Sequence, residues 1–255
     1  MKSIITAPII ILIRPQMGEN IGAVARAMSN FGLSELRLVA PRDGWPNQRA
    51  NDMAAGGLNI IENAKIYPDF ASAMVDIHCA YATTARSRDM NKRTTSPSEA
   101  MAEILANNQQ QATNNRTAIV FGAERTGMEN EDVVLCDAII NIPTSAENPS
   151  LNLGQAAVII GYEWAKASIE FGVLSVEKNT RLHSTLQTPN SAPKGEYLGL
   201  FEQLENYLDQ AEYFRTEQKK AIMWKNLRTM LLRGAWNEQE IRTMRGMLRA
   251  LWERK

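Results

Sequence analysis

The first two-thirds of the chain alternates short runs that are apolar at every position with segments of helical spacing, and this limits the possible folds more than any other feature. Pro8 to Arg14 (PIIILIR) has the length of a strand. Asn20 to Phe31 follows, with Ile21, Val24, Ala25 and Met28 at helical spacing and Gly32 as a stop. Glu35 to Ala40, Ile77 to Thr83, Thr117 to Gly122 and Ala138 to Ile142 read as further strands, and Asp69 to Val75, Pro97 to Ala106 and Leu151 to Phe171 as further helices. Strands that are apolar throughout must be covered on both sides. Interleaved with helices, they predict an α/β fold built on a mostly parallel sheet with helices on both faces. The Asn/Gln patch at Asn107 to Gln111 predicts an exposed loop.

The pattern fades after Gly172, and Ser184 to Lys194 (STLQTPNSAPK) is polar with two prolines, as expected of a linker. Three helical segments follow: Gly195 to Glu212, Thr216 to Leu232, and Glu238 to Trp252 with Asn237 as its N-cap. The expected division is an α/β domain over 1–175, a linker over 176–194 and a small α-helical domain over 195–255. Lys plus Arg and Asp plus Glu balance at 28 each, but not evenly along the chain. From Tyr213 to Lys255 there are eleven basic residues against four acidic, a net of +7, which leaves −7 on the rest. A basic tail on an acidic body points to a polyanion contact at one end, with docking of the tail on its own acidic body as the alternative. Lys219, Lys220, Lys225, Arg228, Arg233, Arg242, Arg245 and Arg249 are the cations available for phosphates. Trp224, Trp236 and Trp252 lie among them and are expected to pack between helices rather than stack on bases.

Other classes are excluded. No apolar window approaches a membrane span, and the N-terminal apolar run is too short for a secretory signal, so a cytosolic protein is expected. Cys79 and Cys136 are far apart in sequence and the chain has two histidines. A structural zinc site needs about four closely spaced ligands, so no metal is expected and both cysteines read as small buried apolar residues.

Polar residues at strand ends mark where an open α/β sheet binds its ligands, and three segments qualify. In Gly18-Glu19-Asn20-Ile21-Gly22-Ala23-Val24-Ala25-Arg26, the glycines allow a tight turn and close approach, Asn20 can cap the helix, and a helix N-terminus suits a phosphate. The spacing matches neither a dinucleotide fingerprint nor a P-loop. In Phe121-Gly122-Ala123-Glu124-Arg125-Thr126-Gly127, Gly122 permits close ligand approach and the charges sit at a strand tip. In the third, Ile142-Pro143 leads to Asn148-Pro149-Ser150-Leu151-Asn152-Leu153, where Ser150 can cap the long apolar helix.

Taken together, N-x-G-x-x-A-R, F-G-x-E-x-x-G and I-P…S-L-N-L resemble the three motifs of the SpoU family of RNA ribose 2′-O-methyltransferases, over about residues 8 to 172. Thr83-Thr84-Ala85-Arg86-Ser87-Arg88 and the helical extension resemble the branch that methylates a cytidine or uridine ribose in the tRNA anticodon loop. The resemblance implies a deep trefoil knot, a homodimer, S-adenosylmethionine as cofactor, and RNA, in particular tRNA, rather than DNA as partner. It implies that Asn20, Arg26, Glu124, Ser150 and Asn152 surround the reacting ribose. It further implies that Thr83, Thr84, Ala85, Gly122, Ile142, Pro149, Ser150 and Leu151 hold the cofactor. Pro149 stands where some relatives carry serine, so only a backbone contact is expected there. An rRNA or wobble-position target, or a non-catalytic knotted RNA-binding protein, are the competing readings.

The implied reaction is an in-line displacement at a sulfonium methyl group, which needs neither a metal nor a covalent intermediate. The ribose hydroxyl must be oriented and its developing charge stabilised. A guanidinium holds its proton tenaciously, so Arg26 is expected to stabilise an alkoxide rather than act as base, with Glu124 placed to orient it. Leu151 to Phe171 is apolar on more than one face, through Leu153, Ala156, Ala157, Ile160, Tyr162 and Trp164, as expected of a buried or dimer-forming helix.

Overall fold

The computed structural model describes residues 6–85, 92–110, 115–174, 191–214 and 216–253. Arg86-Ser87-Arg88 and residues 176–190 of the expected linker lie outside them. The apolar runs form β1 (Ile9–Ile13), β2 (Leu36–Val39), β4 (Cys79–Thr83), β6 (Thr117–Phe121) and β7 (Ala138–Ile140). Two short strands, β3 (Lys65–Tyr67) and β5 (Arg93–Thr95), complete one seven-stranded sheet of order β3-β2-β1-β6-β4-β7-β5. Every pairing is parallel, with Ile10 opposite Leu36 on one side and Ile119 on the other. The helices are α1 (Gly18–Asn30), α2 (Gln48–Ala54), α3 (Leu58–Glu62), α4 (Phe70–Met74), α5 (Pro97–Gln110), α6 (Asn130–Leu135), α7 (Leu153–Leu174), α8 (Lys194–Gln210), α9 (Glu217–Arg233) and α10 (Glu238–Trp252).

Alternation along β1 divides the core. Ile10 and Leu12 face a cluster with Val24 and Met28 of α1, Met101 and Ile104 of α5, and Ile160 and Trp164 of α7. Ile9, Ile11 and Ile13 face Phe70 and Met74 of α4, Val133 of α6, and Tyr197, Phe201, Trp224 and Ile241 of α8 to α10. Each fully buried isoleucine is worth roughly 1.5–3 kcal/mol, so both layers contribute to holding the sheet. The C-terminal helices thus share a core with the second face of the sheet. The last residues of the expected linker join in. Ser191, Ala192 and Lys194 are buried rather than solvated, because Lys194 Nζ donates to Asp137 Oδ1 at 2.8 Å. Asp137 Oδ2 in turn accepts the Ala80 amide at 2.7 Å.

Other expectations are corrected. Asn107 to Gln110 continue α5 instead of forming a loop. Glutamine is a good helix former, and Asn108 Nδ2 is held by the Thr6 carbonyl at 2.8 Å. The run Glu35 to Ala40 conceals a charge, since Arg37 is 1% exposed. Its guanidinium donates to both carboxylate oxygens of Asp76 (2.6 and 2.8 Å), to Glu35 (3.0 Å) and to the Ala73 carbonyl (2.7 Å), which satisfies a cation that could not otherwise be buried. Both cysteines are free thiols, and burial pushes the Cys136 thiol up to about 12. Asn237 caps α10 as expected, in a capping box with Glu240.

Candidate active site

A cavity of about 150 Å³ opens at the C-terminal ends of β4, β6 and β7, the end where parallel α/β sheets carry their ligands. Thr83, Thr84 and Ala85 close one side. Phe121 to Arg125 and Gly127 close a second, and Ile142, Pro149, Ser150, Leu151, Leu153 and Ala156 a third. All the residues expected to hold the cofactor line it. Thr83 Oγ1 is buried there with no hydrogen-bond partner among the described residues, and the Pro149 carbonyl accepts from Thr144 Oγ1 at 3.2 Å.

The loop after β6 folds back on itself. Gly127 adopts φ 69° and donates its amide to the Ala123 carbonyl at 2.7 Å. A Cβ on Gly122 would lie 2.3 Å from the Gly127 carbonyl carbon. Gly122 is therefore required by its own loop, in addition to lining the cavity. The turn presents Glu124 and an exposed Arg125 at its tip. Glu124 is a hub: its carboxylate accepts the Gln16 amide (2.8 Å), the Met17 amide (3.3 Å) and Asn20 Nδ2 (2.8 Å).

That arrangement overturns two readings of the first motif. The anion at the start of α1 is the protein's own carboxylate rather than a ligand phosphate, as the helix dipole and the free amides favour. Asn20 does not cap α1. Met17 occupies the cap position, and the Asn20 side chain points its amide at Glu124 from the first turn. Gly18 and Gly22 serve packing, since Cβ atoms there would fall 2.2 Å from Asn47 Oδ1 and 2.4 Å from the Ala50 carbonyl of α2. The third motif completes the junction. Asn152 Nδ2 donates to Asn20 Oδ1 at 3.3 Å, while Asn152 Oδ1 accepts the Gly154 amide at 2.8 Å. Asn152, not Ser150, caps α7, and Ser150 stays exposed at the cavity wall.

Glu124, Asn20 and Asn152 thus join the three motifs by direct hydrogen bonds. Arg26 stands apart. It is exposed on α1 and does not line the cavity, and its side chain has no hydrogen bond or ion pair among the described residues. Glu124 does not orient it, because the carboxylate is already committed to Asn20 and two amides. Sequence reasoning missed Gln16, Met17 and Arg14. Arg14, at φ 50°, pins the start of the Gln16–Met17 loop by ion pairs to Asp132 and Glu129 of the α6 region. Only backbone amides and a tertiary ion pair are involved, and neither leaves a pattern in sequence.

α1 and α7 lie side by side, with Ala23 against Gly154 and Phe31 against Gly161. α7 is not buried all round. Leu151, just before it, and Val158, Tyr162 and Ile169 are 36%, 44%, 53% and 68% exposed, at a spacing that makes one apolar stripe. The basic tail is partly spent internally. Lys220 and Arg228 pair with acidic groups of α8, Arg242 with Glu238, and Arg245 with Gln203. As expected, the tryptophans pack between helices: Trp224 and Trp236 in the second core cluster, and Trp252 of α10 against Tyr207 of α8 with ring centroids 5.0 Å apart. No described helix is long and apolar enough to cross a membrane.

A parallel sheet whose strand-end cavity is framed by three motifs joined through Asn20 defines a class already known from other proteins. Residues 7–162 match the SpoU rRNA Methylase family, and the chain belongs to that family. Residues 196–255 match the C-terminal domain of the tRNA methyltransferase TrmJ. A tRNA (cytidine/uridine-2′-O-)-methyltransferase TrmJ of Sodalis glossinidius is 32% identical over 95% of this chain and 90% of its own length. An uncharacterized tRNA/rRNA methyltransferase of Haemophilus influenzae is 29% identical over 96% of this chain and 94% of its own. The crystal structure of TrmJ from Z. mobilis ZM4 superimposes with a TM-score of 0.82 at 40% identity, covering 96% of this chain and 99% of that one.

Proposed function

We propose that this chain is an S-adenosylmethionine-dependent methyltransferase acting on the ribose 2′-hydroxyl of a cytidine or uridine in the tRNA anticodon loop, as a homodimer in the cytosol. The observation that carries this reading is the Glu124–Asn20–Asn152 junction at the mouth of a strand-end cavity. The printed activity of the Sodalis relative and the match to the TrmJ C-terminal domain support the substrate. The knot implied by the family belongs to the same proposal, with the chain crossing itself around this cavity.

The cavity suits the cofactor. Ile142, Leu151, Leu153 and Ala156 offer an apolar wall for a purine, and the orphaned Thr83 hydroxyl offers a polar group that needs a partner. When bound, the cofactor supplies a methyl group on a positively charged sulfur. What remains for the chain is to place the ribose oxygen in line and to stabilise charge on it. Asn20 and Asn152, held by Glu124 and by the start of α7, are the positioned amides for the sugar, with Ser150 on the wall beside them. Arg26 supplies the positive charge. It is exposed on α1, the helix that packs against α7, and lies outside its own cavity, which favours delivery to the cavity of a partner copy docked on the α7 stripe.

The test is calorimetry with S-adenosylmethionine. Wild-type protein binds it, and Thr83→Val weakens binding about 5–10-fold, the value of one hydrogen bond to a buried hydroxyl. No binding by the wild type overturns the cofactor assignment. Equal binding by the variant removes Thr83 from it.

A further inference from the structure

The facing stripes of α8 and α10 enclose an open groove of about 290 Å³ whose lining includes Gln203, Asn206, Tyr207, Arg245 and Arg249. Helical spacing brings these groups together, three or four residues apart on each helix. Arg245 is fixed in the groove. Its Nε donates to Gln203 Oε1 at 3.0 Å while Gln203 Nε2 donates to the Arg245 carbonyl at 3.0 Å. A Cβ on Gly199 would lie 3.2 Å from Arg245 Nη1, so the glycine makes room for the guanidinium. One turn on, Arg249 is exposed, and its side chain has no hydrogen bond or ion pair among the described residues. At the end of the groove Tyr207 stacks on Trp252 with the ring planes 10° apart.

We propose that this groove is an RNA-nucleotide subsite, separate from the methyl-transfer cavity, which takes a backbone phosphate on Arg245 and Arg249 and a base beside the Tyr207–Trp252 pair. The proposal rests on the tRNA reading above and narrows it to named residues. Two arginines with aromatic faces are the combination that grips single-stranded nucleic acid. The remaining lining decides between anions. Glu202 also borders the groove, and its carboxylate opposes any anion there, an RNA phosphate included, so an occupant must offer it donors as well as charge. A nucleotide, unlike an inorganic anion, brings hydroxyls and base amino groups that Glu202 can accept from and Asn206 can accept from or donate to. Elsewhere in the tail, Lys220, Arg228 and Arg242 are held in ion pairs within the chain, whereas in the groove Arg245 is hydrogen-bonded to the neutral Gln203 and keeps its charge uncompensated by it.

The test uses full-length protein and an unmodified tRNA transcript, with binding by fluorescence anisotropy across a salt series and steady-state methylation kinetics. Arg249→Glu raises the tRNA Kd and KM about tenfold and lowers the salt slope by about one or more, leaving kcat at saturating tRNA and the affinity for S-adenosylmethionine within about twofold. Arg242→Glu makes the same charge change outside the groove and shifts binding less than about twofold. Thermal melts identical to wild type establish that both variants fold. Equal effects of the two substitutions, or none from Arg249→Glu, overturn the groove. A wild-type protein that binds tRNA but transfers no methyl group removes the functional reading, and the binding measurements then still decide the groove.

Discussion

At the scale of single residues, the site is a division of labour between side chains that hold and side chains that act. Glu124 holds, since it spends its carboxylate on Asn20 and two amides of the loop before α1. Glu124→Ala leaves those donors without an acceptor and costs about 1–3 kcal/mol of stability, together with loss of turnover; a denaturant titration and a methylation assay read the two separately. Arg26 acts, by the proposal. Arg26→Ala is expected to lower kcat about 10²–10³-fold, the scale of one lost charge-stabilising group, with cofactor affinity unchanged by calorimetry. Normal turnover in that variant contradicts its role. The three motifs were legible because each sets distinctive residues at a strand end. What each residue touches was not. Glu124 and Arg26 are opposite charges expected at one site, and pairing them is the natural reading of sequence. The structure instead gives the carboxylate to main-chain amides, donors that every residue but proline carries and that sequence cannot single out.

At the scale of elements, the long apolar strands β1, β4 and β6 and the helices α1, α7 and α10 were readable from periodicity within a few residues. β3 and β5 were not, because a three-residue edge strand such as Arg93–Thr95 buries too little to need an apolar run. α2 and α3 were missed because Gly56 and Gly57 interrupt them. Gly57 is demanded by packing, as a Cβ there would lie 2.5 Å from the Ala25 carbonyl of α1. α7 carries the element-scale prediction. Its stripe of Leu151, Val158, Tyr162 and Ile169 is apolar and exposed in one chain, an arrangement that favours association. Val158→Glu with Tyr162→Glu places charges on that stripe. Light scattering is expected to give twice the chain mass for the wild type and the chain mass for the double variant, with methylation lost in the latter. A wild-type monomer that is fully active contradicts both the dimer and the delivery of Arg26 across it.

At the scale of the whole molecule, one sheet has its two faces covered by different parts of the chain, α1, α5 and α7 on one and α4, α6 and α8 to α10 on the other. Buried charge locks the second face. Hydrogen bonds and charge from Arg37 hold the Asp76 carboxyl below its ordinary value. A carboxyl depressed in the folded state contributes stability above its unfolded pKa of about 4, and loses it as pH falls through the lower folded value. Asp76→Asn is therefore expected to cost about 2 kcal/mol near neutral pH. This is less than a fully buried pair, because Asp76 is partly solvated and Glu35 still faces Arg37. The gap to wild type closes in strong acid, as urea titrations at several pH values would read. All of this scaffolding serves one claim, that the strand-end cavity and its junction transfer a methyl group to a ribose. The most direct measurement incubates the protein with labelled S-adenosylmethionine and unmodified tRNA, followed by nucleoside mass spectrometry. The account predicts label in 2′-O-methylcytidine or 2′-O-methyluridine. Label on a base, or none in RNA while the cofactor binds, contradicts it.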